Sequence, residues 1–513
     1  MKIENTIFKP YFVQAGQGPH LLDWAYCSDE NWDPFLADIP TNQDGVVVEN
    51  THDIEKYGIN VRYNVENFGY LFLTADNGGE FYQSSDKREY NLNYELAKSR
   101  VVRNRTRLKK LQESGWKPSP EVNGLVALSE QLLEDGSNVL HNSEKCAGFA
   151  QRALLPALQA GEKMELDQAR FVIKQAGHRP DFFIGCDARG YLQMDPDLFL
   201  ERFMELFNYA TITHYLKSNH YQDFEPREGE KQFNLRTVLH KELIDRGITV
   251  EGRPLFWFYN STTPDWLRNK SYKDLLKYVE SHAREVVSHY GDGMYAWEVM
   301  NEAHDWANEL QLKPEQITEV TRLACDVARD TNPKVHRLIN NCCPFAEYVQ
   351  LKKWGEIDAC YKQRTPHQFL RELVEAEVDF TITGQQMYFP YRDLQDTILL
   401  IERLEQFGRP VQLTEVGTSS GLTKEAFENG RLKLPEEPYI WHRYWDDELQ
   451  ADWMEGLYTL AYSKEWIEAV NWYDFIDQYS WIKNGGLLRS PEGERKPAFE
   501  RLLKLQREWK SLG

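Results

Sequence analysis

Two glutamates, each at the end of a short β-like run, are the residues of this chain best placed to do chemistry. Glu302 lies in YAWEVMNEA, directly after Asn301, and Glu415 lies in QLTEVG. A carboxylate at the carboxyl end of a barrel strand lies where the active sites of (β/α)₈ barrels are built. Glycoside hydrolysis requires two such carboxylates, since one protonates the leaving oxygen while the other attacks the anomeric carbon or activates water. The pair therefore predicts a glycosidase-type active site.

The elements that would position this pair alternate between strand and helix from about residue 181 onward. Helical stretches such as 272–288 and 315–329 separate short runs of strand character. The candidate strands are residues 182–185, 211–215, 254–258, 296–299, 337–340, 380–384, 411–414 and 470–475. Eight strands with intervening helices predict an α/β fold of the (β/α)₈ TIM-barrel type, in which Glu302 follows the fourth strand and Glu415 the seventh.

Two further units are predicted to precede the barrel domain, which spans 181–513. Residues 1–88 include the alternating run 59–65 and predict a β-rich, sandwich-like domain. This domain is interpreted either as a carbohydrate-binding or substrate-shaping unit, or as a structural unit packed on the barrel. Residues 89–180 carry leucines at helical spacing and predict a helical connector, with one additional strand over 169–174.

Four cations lie along one face of a predicted connector helix, at Arg100, Arg103, Arg107 and Lys110. Such a face can bind an acidic partner, remain solvated, or pair with acidic groups of the barrel. We favour the last two interpretations.

The composition excludes several classes of protein. The net charge of −20 argues against binding to nucleic acid or to an anionic membrane, and is compatible with a neutral glycan. No run of 18 apolar residues predicts a membrane span. The seven scattered cysteines indicate reduced thiols, and the 13 histidines show no paired ligand spacing, so we expect no disulfide framework, no metal and no cofactor.

The start of the sequence, MKIENTIFKPYF, lacks the apolar region of a signal peptide. We therefore expect either an intracellular protein or one whose targeting segment has been removed. The oligomeric state is left open.

Five segments follow one another in the order and spacing of the motifs of a known enzyme family. They are FNYATITHYLKSNHYQDFEPREGEKQFN (207–234), GRPLFWFYNSTTPDWL (252–267), WEVMNEA (297–303), QLTEVG (412–417) and WYDFIDQYSWIKNGGLLRSPEGERKPAF (472–499). The chain resembles glycoside hydrolase family 10, the endo-β-1,4-xylanase family, over roughly 181–503. The resemblance implies a retaining hydrolase whose partner is a xylan-type polysaccharide or oligosaccharide.

The resemblance also implies roles for individual side chains. Glu302 would be the general acid/base and Glu415 the nucleophile, while Asn301 would bind the sugar 2-hydroxyl. The other substrate-binding candidates are Lys217, Arg253, Trp257, Gln386, Tyr388, Tyr473 and Trp481.

The chain departs from the family pattern beside the nucleophile. Tyr388 and Gly417 stand where the family has the His–Asp pair that orients this glutamate. A phenol can still donate a hydrogen bond to Glu415, so we interpret the change as a rewired support for the nucleophile.

Further departures concern the sugar pocket. Thr213 and His214 replace a Glu-Asn pair, and Arg253 replaces a histidine. A guanidinium binds carboxylates through paired hydrogen bonds, so one hypothesis is a substrate with an acidic sugar near the scissile bond. The favoured alternative is that Arg253 pairs with an acid of the protein such as Glu298.

Two other functions remain open at this point. One is a β-glycosidase of a different, decorated or end-cleaved glycan on the same scaffold. The other is a catalytically silent carbohydrate-binding protein, which the loss of the His–Asp pair favours and the retention of both glutamates opposes.

Overall fold

The centre of the molecule is a closed barrel of eight parallel strands. The computed structural model describes residues 5–15, 21–22, 24–218, 222–304, 307–354, 357–388, 391–421 and 439–513. The barrel strands are β1 (Phe183–Asp187), β2 (Tyr209–Thr213), β3 (Thr249–Arg253), β4 (Ala296–Asn301), β5 (His336–Asn341), β6 (Ile382–Tyr388), β7 (Val411–Gly417) and β8 (Ile467–Trp472). They pair in chain order, and β8 pairs with β1. The predicted (β/α)₈ barrel is confirmed.

The third strand lies five residues earlier than the sequence predicts. The predicted segment 254–258 follows β3 and contributes isolated bridges from Phe256 and Phe258. The observed strand carries two buried charged residues, Glu251 and Arg253. The prediction was wrong because it followed the apolar run rather than a strand whose charges pair inside the barrel.

The N-terminal region forms two main sheets. The strands of the first sheet, in spatial order, are Glu89–Asn91, Thr6–Lys9, Gly45–Val48 and Thr41–Asn42. The strands of the second sheet, in spatial order, are Ile440–Trp441, Gly69–Ala75, Lys56–Val65, Ala25–Ser28 and Pro34–Phe35. The strand Tyr82–Gln83 pairs with Lys56–Val65 in the second sheet. The alternating run 59–65 lies in a strand that forms an antiparallel hairpin with Gly69–Ala75, in which Tyr63 lies opposite Leu71. Short strand pairs also join Gln14–Ala15 to Leu21–Leu22, and Lys353–Trp354 to Ile357–Asp358.

Three long helices follow these sheets: α1 (Leu92–Gln112), α2 (Pro120–Ser137) and α3 (Ser143–Ala176). Each begins at a polar residue whose side chain accepts a hydrogen bond from the first turn, namely Asn91, Ser119 and Asn142. The strand predicted over 169–174 is wrong, because these residues continue α3 as part of a helix of 34 residues.

The barrel helices cover the outside of the strands. They are α4 (Pro196–Leu206), α5 (Asn234–Ile244), α6 (Tyr272–Tyr290), α7 (Pro314–Thr331), α8 (Pro366–Glu375), α9 (Leu394–Glu402), α10 (Asp447–Tyr462) and α11 (Pro497–Lys510). Two one-turn helices, Asp265–Arg268 and Tyr348–Leu351, lie in the loops after β3 and β5. In the part of the chain described, no helix has the length and apolar character needed to cross a bilayer.

The cationic face of α1 packs against the barrel. Arg100 donates hydrogen bonds to Asp393 at 2.7 and 2.9 Å, and Arg107 donates to Glu402 at 2.7 and 2.8 Å. Both guanidinium groups are almost completely buried. The cationic face of α1 therefore pairs with acids of the barrel, one of the two interpretations favoured from the sequence. These ion pairs hold the helical connector against α9.

Candidate active site

Glu302 lies at the carboxyl end of the barrel, one residue beyond β4. Its backbone has φ 54°, a left-handed conformation that few residues with a side chain adopt. Its N–H donates to the carbonyl oxygen of Asn340 at 2.9 Å. Such a conformation persists where the surrounding structure enforces it, so the position of this side chain is tightly determined.

Two neutral donors bind the Glu302 carboxyl group. Trp257 Nε1 donates to Oε2 at 3.0 Å, and Gln386 Nε2 donates to Oε1 at 2.8 Å. Gln386 Nε2 also lies 3.4 Å from Asn301 Oδ1. Three of the side chains that the resemblance implied therefore surround the candidate acid.

Glu415 lies within β7 and accepts hydrogen bonds from three side chains. Arg253 and Asn340 donate to Oε1, the latter at 3.2 Å, and Tyr388 donates to Oε2. An ionised carboxylate is an acceptor with no hydrogen of its own to donate, so this set of donors fits the charged form. One of the donors to Glu415 is the guanidinium of Arg253, whereas Trp257 and Gln386, the donors described for Glu302, are neutral side chains.

Arg253 lies beneath the nucleophile rather than in contact with the cavity. Its side chain is 1% exposed, and its Nε lies 3.5 Å from Oε2 of the fully buried Glu298. The guanidinium is bound by carboxylates of the protein, which supports the pairing with Glu298 over recognition of an acidic sugar.

Two further carboxyl groups lie in the interior below Glu415. Burial raises the pKa of Glu298 to about 8, although Arg253 opposes the shift. Burial likewise raises the pKa of Glu251 to about 7, and Tyr209 donates to this carboxyl group at 2.6 Å. Burial therefore disfavours the ionised form of both carboxyl groups below the candidate nucleophile.

Tyr388 and Gly417 stand in place of the family's His–Asp pair, and the space around Glu415 accounts for both residues. The phenol hydrogen bond to Glu415 expected from the sequence is present. A Cβ at position 417 would lie 2.6 Å from the carbonyl oxygen of Tyr473, which is too close for any side chain. Position 417 therefore has no room for an aspartate, and Tyr388 bonds to the glutamate directly.

A cavity of about 340 Å³ opens above the two glutamates. Eight of the ten predicted site residues line it: Trp257, Asn301, Glu302, Gln386, Tyr388, Glu415, Tyr473 and Trp481. Trp481 is 50% exposed, and its backbone N–H donates to Asp474 at 2.8 Å. Lys217, in the loop after β2, and Arg253 are the two predicted residues outside this lining.

Thr213 and His214 also point away from the cavity. Thr213 donates to Asp187 Oδ2 at 2.9 Å, and a ring nitrogen of His214 lies 3.0 Å from the hydroxyl of Tyr290. Both residues are 1% exposed, and burial lowers the pKa of His214 well below its usual range. They pack the base of the β2 loop.

Several residues of the site were not predicted from the sequence, among them Asn340 and Trp24. Asn340 bridges Glu298 at 2.9 Å and Glu415 at 3.2 Å, and its position at the end of a predicted barrel strand was an available signal. Trp24, from the N-terminal region, lines the same cavity. The sequence carries no local signal for a contact between residues so far apart.

Comparison with known proteins identifies the family of the barrel. The model of glycosyl hydrolase family 10 matches residues 201–505. Among curated relatives, a β-1,4-xylanase of Dictyoglomus thermophilum is 25% identical over 256 residues, covering 47% of this chain and 65% of that protein. An endo-1,4-β-xylanase of Agaricus bisporus is 30% identical over 288 residues, covering 54% of this chain and 77% of that protein. The chain spans just under two thirds of the first of these relatives.

A solved structure shares the barrel. The crystal structure of native xylanase 10B from Thermotoga maritima matches with a TM-score of 0.50 and 17% identity, over 64% of this chain and 96% of that one. At this identity the likeness shows the fold alone. The family model, which covers more than half of the chain, shows that the protein belongs to glycosyl hydrolase family 10, as the motifs indicated.

Proposed function

We propose that this protein is a retaining glycoside hydrolase that cleaves β-1,4 links of a xylan-type polysaccharide or oligosaccharide. Glu302 is the general acid/base and Glu415 the nucleophile in this proposal. The observation that carries it is that both carboxyl groups face one aromatic cavity from β4 and β7, each held by its own set of donors. The xylanase names of the relatives support the substrate class.

The hydrogen-bond donors around Glu415 and Glu302 suit the different roles proposed for the two glutamates. The guanidinium of Arg253, the amide of Asn340 and the phenol of Tyr388 orient the Glu415 carboxylate for attack on the anomeric carbon. Trp257 and Gln386 are neutral donors that orient the Glu302 carboxyl group, which in this proposal carries a proton to the leaving oxygen.

The reaction proceeds in two displacements. In the first, Glu302 protonates the glycosidic oxygen while Glu415 forms a covalent bond to the anomeric carbon. In the second, the deprotonated Glu302 removes a proton from water, which attacks the same carbon and releases Glu415. Asn301 lies beside Glu302 in the cavity, where its amide can bind the sugar 2-hydroxyl in the transition state.

The decisive experiment distinguishes the roles of the two glutamates by comparing substrates whose leaving groups do and do not need protonation. Reducing ends would be measured on linear xylan, acid-substituted xylan and β-glucans, and phenolate release on an activated aryl β-xylobioside. Glu415→Ala should lose activity on every substrate. Glu302→Ala should lose about 10²–10⁴-fold on polysaccharide but far less in the first step on the aryl glycoside, because a phenolate leaves without protonation.

Glu280→Ala, at a glutamate on α6 whose side chain is 55% exposed, is the matched control and should keep wild-type activity. Wild-type activity in Glu415→Ala would refute the assignment. Binding of oligosaccharides without turnover on any substrate would instead identify a carbohydrate-binding protein. A product that first forms as the α-anomer, detected by NMR, would contradict the retaining mechanism.

A further inference from the structure

The N-terminal region contributes an aromatic side chain to the catalytic cavity. Trp24 lines the same space as Glu302 and Glu415, although it lies outside the part of the chain that matches the family model. Its ring packs against Phe72 at 5.4 Å and Tyr26 at 6.1 Å between ring centroids. The barrel alone therefore does not form the whole wall of the site.

The strand order shows which end of the cavity Trp24 occupies. Glu302 lies directly after β4 and Glu415 lies in β7, so the strand order places β5 and β6 on one side of the pair and β8 and β1–β3 on the other. Tyr391 after β6 belongs to the same buried cluster as Phe72, and the N–H of Phe72 donates to its carbonyl oxygen at 2.8 Å. Trp24 thus lies at the β5–β6 end.

Hydrogen bonds anchor the N-terminal region at this end. The backbone of Ala37 forms two hydrogen bonds with the side-chain amide of Gln350, at 2.8 and 3.1 Å, in the loop after β5. Asp33 accepts from Thr365 at 2.8 Å and from Arg403 at 2.7 Å, at the start of α8 and just beyond α9. The wall that carries Trp24 is therefore fixed to the barrel on both sides of the β5–β6 end.

A buried arginine extends the same junction. Arg392, after β6, donates to Tyr26 at 2.8 Å, to Asn60 at 2.6 Å and to Thr74 at 2.7 Å. All four side chains are buried. Separating the two parts would break all three of these buried hydrogen bonds, so Arg392 ties the N-terminal region to the barrel.

The size of the cavity is consistent with a closed end. Its volume of about 340 Å³ lies near the lower limit of the roughly 300–1,000 Å³ typical of small-molecule sites. The half-exposed Trp481 lies in the loop after β8, which neighbours β7 on the side away from β6. A glycan entering past Trp481 and crossing the two glutamates would reach Trp24.

We propose that the N-terminal β-region closes the β5–β6 end of the cleft with Trp24 as a stacking wall, so that the enzyme cleaves short β-linked oligosaccharides and chain ends rather than the interior of a polymer. This inference rests on the proposed function and narrows its substrate class. It also assigns the N-terminal region a substrate-shaping role through Trp24.

The test compares cleavage of internal and terminal bonds in the full-length protein. The wild type should release a single short product from end-labelled xylohexaose, and should leave the viscosity of soluble xylan nearly unchanged while reducing ends accumulate. Trp24→Ala should weaken kcat/KM on short oligosaccharides by roughly tenfold or more, as expected for loss of a buried aromatic anchor. Trp24→Phe, which keeps a stacking ring, should recover most of this loss.

Leu36→Ala, at a 40% exposed side chain of the same region, serves as the matched control and should behave as wild type. An early fall in xylan viscosity with the wild-type enzyme would overturn the closed end while leaving the proposed hydrolase function intact. Wild-type kinetics in Trp24→Ala would equally refute the stacking role.

Binding measurements test the closed end independently of turnover. Calorimetry with the Glu415→Ala variant and xylo-oligosaccharides of two to six sugars should show affinity that stops rising at a short length. Affinity that increases with every added sugar would contradict the closed end. If no substrate is hydrolysed, the proposed function fails, and this length series still decides whether Trp24 closes the cavity.

Discussion

Replacing Tyr388 by phenylalanine tests the support of the nucleophile most directly. The change removes one hydroxyl group and keeps the ring, which packs against Trp481 at 4.7 Å between centroids. Glu415 would keep the donors Arg253 and Asn340 on Oε1 and lose the Tyr388 donor on Oε2. The Glu415 carboxylate could then rotate, which would move Oε2 away from the anomeric carbon.

The size of the effect follows from the kind of hydrogen bond that is lost. A hydrogen bond to a charged group contributes about 1.5–3 kcal/mol. If that contribution is made in the transition state, Tyr388→Phe should lower kcat/KM by roughly 10- to 150-fold. Because the variant buries no new polar group, its unfolding temperature should change little.

The assay is initial-rate hydrolysis of an activated aryl β-xylobioside, with unfolding followed by circular dichroism. Tyr479→Phe, at a 46% exposed tyrosine in the loop after β8, removes a hydroxyl group outside the cavity and is the control. A kcat/KM for Tyr388→Phe within threefold of the wild type would show that the phenol does not position the nucleophile.

Three further substitutions test the packing and the buried charges. Arg100→Ala should lower the free energy of unfolding, measured in urea, by roughly 3–5 kcal/mol, because it leaves buried carboxylates without this partner. Arg105→Ala on the same helix breaks an exposed ion pair and should lower it by less than about 1 kcal/mol. Equal losses in the two variants would contradict this expectation. Gly417→Ala should destabilise by about 1–3 kcal/mol through its close contact, while Gly124→Ala, with open space around it in a helix, should be neutral or stabilising. Glu298 has its pKa raised from 4.5 to about 8 in the folded state, so its contribution to stability is complete below about pH 4.5 and is lost as the pH rises through 8; it amounts to at most about 5 kcal/mol. Glu298→Gln should therefore flatten the pH dependence of urea unfolding between pH 5 and 8, and an unchanged slope would refute the shift.

The sequence allowed the barrel and its two glutamates to be predicted for a physical reason. Parallel barrel strands are buried on both faces, so they appear as short apolar runs, and the residue at the carboxyl end of each run faces the site. Glu302 and Glu415 stood out because each ends or interrupts such a run with a carboxylate. Asn340 followed the same rule at the end of β5 and could have been recognised.

The errors in secondary structure arose where local composition and tertiary context disagree. β3 contains Glu251 and Arg253, charges that a barrel interior accepts only because partners from other strands surround them. In 169–174 the run Phe171-Val172-Ile173 has strand character, yet it continues the long helix α3. Neither partner strands nor packing helices are visible in a local window.

The wall formed by Trp24 could not have been predicted at all from one sequence. Its contact with the cavity joins the first residues of the chain to loops more than 300 positions later. No motif fixes such a contact, because it depends on how the N-terminal sheets pack on the barrel. The orientation of Arg253 toward protein carboxylates was likewise one of two alternatives until the strand register determined it.

The short strand Ile440–Trp441 has a consequence for how the polypeptide folds during its synthesis. It pairs with Gly69–Ala75 at the edge of the sheet whose strand Ala25–Ser28 directly follows Trp24, yet it leaves the ribosome about 360 residues later. At translation rates of about 5–20 residues per second, synthesis of the intervening chain takes roughly 20–70 s, and during this time the edge of the sheet lacks its last strand. Through that interval the nascent chain exposes a surface that chaperones recognise and that neighbouring chains can join. The N-terminal region therefore reaches its final form only after most of the catalytic barrel has been made.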